Sequence, residues 1–224
     1  MNTVPVVQKI LSANDAIAAE NRAALDVAGA LGVNIMASPG AGKTSLLLAT
    51  ARRLPAGLRM AVIEGDVAGS IDADTLAAAG VPVVQINTGG GCHLDAPMVR
   101  SALPHLLPGG VDVLMIENVG NLICTAEFAL GTHVNLVVAS TPEGHDKPYK
   151  YPGMFAAADV VALNKADVAA VFDFDLDAFQ RGVRMVNPQA PIFIVSCRSG
   201  EGLDAWVAWL VDSFRAESRR SISD

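Results

Sequence analysis

Seven short apolar runs, separated by stretches of helical character, constrain the fold of this chain more than any other feature. Val33–Ala37, Met60–Ile63, Val81–Ile86, Val111–Ile116, Val134–Ala139, Val160–Leu163 and Ile192–Val195 read as strands. Thr44–Leu54, Asp72–Ala79, Ala96–Leu107, Asp175–Gly182 and Leu203–Phe214 read as helices. The runs are apolar at successive positions, so both faces of the sheet need cover. This predicts an α/β fold with a mostly parallel central sheet flanked by helices on both faces. A leading helix starts near Ser12 or Asn14, whose side chains can cap it, and stops at Gly32. Residues 1–32 are therefore expected to pack on the core and 33–216 to form the main domain, with 217–224 as a frayed polar tail.

Composition narrows the function classes. With 51% hydrophobic and 17% charged residues in 224, the chain can bury a large core, and disorder is excluded for most of it. Its 16 Lys+Arg against 23 Asp+Glu give a net charge of −7, which argues against nonspecific nucleic-acid binding, since that needs cations to replace phosphate counterions. Three Cys make no disulfide framework, so reduced thiols or metal ligands in a cytoplasmic setting are expected. No secretory signal is expected, since the opening segment has no long apolar run followed by a small-residue cleavage site, and no apolar run is long enough for a membrane span.

The first strand runs into Ser38-Pro39-Gly40-Ala41-Gly42-Lys43-Thr44 and a helix follows, which is the ending of a P-loop with Ala37 where the first Gly usually sits. Backbone N–H groups from Gly40 through Ser45 can wrap phosphates at the positive end of that helix. Lys43 would reach the β/γ-phosphates and Thr44 would offer its hydroxyl to Mg²⁺. Asn164-Lys165-Ala166-Asp167, after the sixth strand, has the N-K-x-D pattern of GTPases. The Asp167 carboxylate can accept from guanine N1–H and the 2-amino group, Asn164 would donate toward N7, and the Lys165 stem would cover the base. Ser196-Cys197-Arg198 occupies the place of a base-contacting loop, with Cys197 as a small residue in it.

Carboxylates at strand ends suit magnesium and the attacking water. Asp66 and Glu117 are the candidates for direct or water-mediated Mg²⁺ contact, and Asp72 for orienting the hydrolytic water. Gly65 and Gly69 would give a switch loop its mobility. Gly89-Gly90-Gly91-Cys92-His93 follows the third strand, and Cys124 lies after the fourth. Thiolate and imidazole suit Zn²⁺ or Ni²⁺, although two neighbouring ligands and one further Cys leave a fourth position for water or another chain. Two buried Cys beside a solvated His would be the alternative. His105, His133 and His145 are scattered and form no metal-spacing pair.

Together these motifs, with Glu64-Gly65-Asp66, Glu117-Asn118-Val119-Gly120-Asn121-Leu122-Ile123-Cys124 and Lys147-Pro148-Tyr149-Lys150-Tyr151-Pro152, resemble the HypB family of hydrogenase nickel incorporation GTPases. The resemblance implies a P-loop NTPase that binds GTP/GDP and Mg²⁺, dimerises in response to GTP, and holds Ni²⁺ or Zn²⁺ at Cys92, His93 and Cys124 near the dimer interface. It also implies a HypA-like metallochaperone and a hydrogenase large subunit precursor as partners. The segment before the P-loop carries neither the Cys-rich nor the His-rich stretch of some members, so delivery is expected instead of storage. A regulatory G-protein and a urease-type, UreG-like nickel accessory GTPase are the alternatives.

Overall fold

The computed structural model describes residues 6–220. All seven expected strands form one parallel sheet: β1 Leu31–Ala37, β2 Met60–Asp66, β3 Val83–Asn87, β4 Val113–Glu117, β5 Val134–Ser140, β6 Val160–Asn164 and β7 Ile192–Ile194. Their order is β3-β2-β4-β1-β5-β6-β7. The chain winds from β1 to one side through β2, β3 and β4, then builds β5, β6 and β7 on the other. β1 therefore sits where the winding reverses, and the crevice beyond its carboxyl end is where open α/β sheets bind ligands.

Helices α1 Val6–Ala28, α2 Lys43–Ala51, α3 Ile71–Ala78, α4 Ala96–Leu106, α5 Lys147–Lys150, α6 Pro152–Ala156, α7 Leu176–Val186 and α8 Leu203–Arg220 cover the two faces. The pleat of β1 sorts them. Val33 and Ile35 pack with Leu46 and Leu47 of α2 and Trp206 and Leu210 of α8, whereas Met36 joins Phe155 and Phe179 on the opposite face. Trp206 is fully buried, and its indole N–H donates to Thr50 Oγ1 at 2.9 Å, so the largest core side chain leaves no polar atom unpaired. Asp95 and Asp175 cap α4 and α7 by accepting from the N–H groups of Met98 and Ala178, both at 2.8 Å.

The ends of the first and last helices differ from expectation. Helix α1 is already formed at Val6, and Asn14 does not cap it. The Asn14 side chain is buried in mid-helix, donating to Ala129 O and accepting from Ala96 N. The helix stops at Gly29, whose φ of +65° favours a residue without Cβ, while Gly32 lies inside β1 and makes room for Leu25 of α1. At the other end α8 continues to Arg220, so residues 217–220 are helical where fraying was expected. Residues 221–224 lie outside the described residues, as do residues 1–5 of the leading segment. Among the described residues no helix is long and apolar enough to cross a membrane.

Candidate functional site

The turn from β1 into α2 has the conformation a phosphate cradle needs. Gly40 and Gly42 adopt φ of +78° and +97°, so N–H groups there turn inward without Cβ strain. A Cβ on Gly42 would come within 2.4 Å of Asn164 Nδ2, because β6 presses against this turn. Asn164 is buried and donates to Ala41 O at 3.1 Å, while its Oδ1 accepts from the N–H groups of Lys165 and Cys197. Lys165 Nζ donates to Gly40 O at 2.7 Å. One amide hydrogen of Asn164, expected to reach toward N7, is thus committed to the P-loop, and this side chain ties the phosphate turn to both base-side loops.

Beneath that turn lies an acidic cluster. Thr44 Oγ1 donates to Glu117 Oε1 at 3.0 Å, and Lys43 Nζ stands 3.8 Å from the same oxygen. Glu64, which faces Glu117 across paired strands, is equally buried. The second oxygens, Glu64 Oε2 and Glu117 Oε2, are buried without a hydrogen-bond partner among the described residues. Burial, reinforced by the charges of Glu117, Asp66 and Asp72, pushes Glu64 up to about 8. Burial pushes Glu117 up to about 7 against the opposing pull of Lys43 and the Thr44 hydroxyl. Orphaned carboxylate oxygens next to a threonine hydroxyl form a donor set that fits a hard divalent cation. Asp66 is half-buried and spends both oxygens on its own loop, accepting from Val67 N and Gly69 N, and Asp72 stands exposed on the first turn of α3. Sequence reasoning missed Glu64. Its only signal was a carboxylate at the end of an apolar run two residues before Asp66.

On the base side, Asp167 is exposed and Ser196 Oγ donates to its Oδ1 at 2.7 Å. Ser196 itself is buried, Arg198 is exposed, and burial pushes the Cys197 thiol up to about 11, which makes it an inert packing residue. A further residue not foreseen is Glu143, which accepts from the hydroxyls of Ser38 and Ser140 and so moors the start of the P-loop to the loop after β5.

The thiols and imidazole converge. Ligand atoms of Cys92, His93 and Cys124 all lie within 4.8 Å of one another, and Cys92 Sγ is 3.5 Å from His93 Nδ1. A hydrogen bond with Cys92 holds the Cys124 thiol above its ordinary value. Phe128 stacks on the His93 ring at 3.9 Å, and Asn121 Oδ1 accepts from Cys124 N at 3.0 Å, so the soft donors are held from both sides. A second cluster, Asp26, His133 and Glu217, was not expected, since His133 read as isolated. There His133 Nδ1 accepts from Gly32 N at 2.9 Å, which places the proton on Nε2, facing Asp26 Oδ1 at 2.8 Å. That tautomer leaves no ring lone pair for a metal, and the cluster ties α1, β1 and α8 together.

A phosphate turn at the reversal point of a parallel sheet, with carboxylates on the next strand ends, defines a P-loop nucleotide-binding domain. Residues 32–194 match the CobW/HypB/UreG nucleotide-binding domain family. The hydrogenase maturation factor HypB of Azotobacter vinelandii is 50% identical over 207 residues, spanning 92% of this chain and 68% of that protein. The hydrogenase/urease maturation factor HypB of Helicobacter pylori is 40% identical over 218 residues, spanning 95% and 88%. The crystal structure of HypB from Helicobacter pylori in complex with nickel matches with a TM-score of 0.87 at 38% identity, covering 92% of this chain and 96% of that one. The chain belongs to the HypB family of hydrogenase maturation factors.

Proposed function

We propose that this chain is a GTP-hydrolysing metallochaperone that assists nickel insertion into [NiFe]-hydrogenase, loading and releasing the metal at Cys92, His93 and Cys124. The observation that carries this reading is the placement of the two sites. The soft donors follow β3 and β4, and the acidic cluster lies at the ends of β2 and β4, so both lie at the carboxyl edge of one sheet. In this reading the N–H groups of Gly40 through Ser45 bind the phosphates. Lys43 leaves Glu117 for the β/γ-phosphates, where it neutralises charge that develops on transfer. Thr44, Asp66 and Glu117 would hold Mg²⁺, with Glu64 behind them, and the ion would screen the phosphate oxygens. Asp72 orients the attacking water. Asp167, steadied by Ser196, selects guanine, and Lys165 lies over the base.

Three soft donors leave a coordination position open, and a second copy of the chain across a two-fold axis would fill it with its own set. A GTP-dependent homodimer, a HypA-like partner, a hydrogenase large subunit precursor as recipient and a cytoplasmic location complete the proposal. The test is stoichiometric titration of metal-free protein with Ni²⁺ and with Zn²⁺, in GDP and in a nonhydrolysable GTP analogue. One tight site per chain or per dimer that Cys92→Ala removes is the expected result. Nickel binding that survives Cys92→Ala would overturn it.

A further inference from the structure

Both arms of the soft-donor site spring from one buried amide. Asn118 is fully buried and directly follows Glu117, the acidic residue that touches Thr44 and Lys43. Its Oδ1 accepts from Leu94 N at 2.9 Å and from Val119 N at 3.0 Å, and its Nδ2 donates to Asn34 Oδ1 at 3.2 Å. Leu94 directly follows Cys92-His93. Its side chain closes on Gly65, between Glu64 and Asp66, so tightly that a Cβ there would sit 2.7 Å from Leu94 Cδ1. The other arm runs through Gly120, which packs against the backbone of Pro39 in the P-loop, to Asn121, which sets Cys124.

We propose that Asn118 is a positioning residue that transmits the location of Glu117 to the soft donors, moving Cys92 and His93 through Leu94 relative to Cys124 as the phosphate site changes occupant. The inference rests on the metal-site reading above and concerns how that site is controlled. The carboxylates that feel the nucleotide and the ligands that hold the metal are joined by one hydrogen-bonded side chain and one packed leucine. Such a short, fully buried connection has few alternative arrangements, which is what coupling between sites requires. The quantity that decides coupling is a ratio of affinities.

The experiment measures the Kd for Ni²⁺ by competition with a chromophoric chelator, in Mg²⁺·GDP and in Mg²⁺ with a nonhydrolysable GTP analogue, for the full chain. Wild type is expected to show at least a fivefold difference between the two states, within the usual range of about 5- to 150-fold. Asn118→Ala should bring that ratio close to one, whatever its effect on the Kd with GDP. Leu94→Val, which keeps the N–H to Asn118 but loosens the contact with Gly65, should reduce the ratio, and it serves if Asn118→Ala does not fold. A purely structural role would weaken nickel binding equally in both states and preserve the ratio. Folded variants with the wild-type ratio would overturn the inference, as would a wild-type ratio of one with nickel still bound at Cys92. Nickel binding indifferent to Cys92→Ala would instead bring down the site reading, and this inference with it.

Discussion

In the proposed function Asp167 would meet the base with one oxygen already engaged by Ser196, and nucleotide choice would rest on that carboxylate. Asp167→Asn exchanges an acceptor for a donor opposite guanine N1–H, and the variant should prefer xanthosine triphosphate, whose 2-position carries an oxo group. Parallel binding titrations of GTP and xanthosine triphosphate to both proteins check this, and an unchanged preference for GTP would remove Asp167 from the base pocket. Glu64 and Glu117 make a different prediction. Their folded-state pKa values of about 8 and about 7 lie above the ordinary 4.5, so the native protein retains protons that the unfolded chain has released. Stability of the metal- and nucleotide-free protein should therefore decline as pH rises from about 4.5 to 8, by up to about 1.4 kcal/mol per retained proton per pH unit, and level off above that. Thermal melts between pH 5 and 9 measure it. Glu64→Gln should flatten the slope, and so should saturating Mg²⁺ and GDP, because a cation then takes the place of the protons. A melting temperature that climbs through this window in the bare protein would show that the two carboxylates ionise freely.

At the level of elements, α1 is strapped to the loop that follows Cys124 and to the start of α4. Asn21 donates to Ala96 O and Leu130 O, Arg22 Nε donates to Gly131 O, and a Cβ on Gly131 would meet Ala18 O at 2.3 Å with φ at +91°. Gly131→Ala is accordingly expected to cost about 2–4 kcal/mol through combined strain and overlap, lowering the melting temperature by roughly 5–15 °C. A calorimetric shift under a degree would mean that α1 is not held there. The seven strands were legible because apolar runs buried on both faces need no knowledge of partners, and the P-loop and Asn164–Asp167 because their spacing is local. The start of α1 was missed for the opposite reason: Asn14 looks like a cap until its partners, Ala96 and Ala129, come into view far along the chain. Glu64 and Asn118 escaped in the same way, since burial of a polar side chain against another strand leaves no trace in local periodicity. The short helices α5 and α6 were hidden by Pro148 and Pro152, which sit in first turns where proline is tolerated.

For the whole molecule, the proposed function requires nucleotide, metal and a second copy to exchange free energy. The soft donors number three per chain, so pairing across a two-fold axis gathers six, enough to close one or two metal centres. If the γ-phosphate orders the loops after β2 and β4, it favours the arrangement of Cys124 that a partner can meet, and linkage makes the effect reciprocal. Whatever factor GTP adds to nickel affinity, nickel adds to GTP affinity, and each shifts the dimer fraction the same way. A coupling of about 1–3 kcal/mol is the expected size. The measurement is a thermodynamic cycle: nickel affinity in GDP and in a GTP analogue, nucleotide affinity with and without nickel, and the dimer fraction at each corner by sedimentation. Wild type should close the cycle with equal factors on opposite sides, while Cys92→Ala should keep the nucleotide-driven dimer and lose its dependence on nickel. Dimerisation by GTP that ignores nickel in wild type would make the chain a regulatory G-protein whose thiols are bystanders, and the delivery reading would fall.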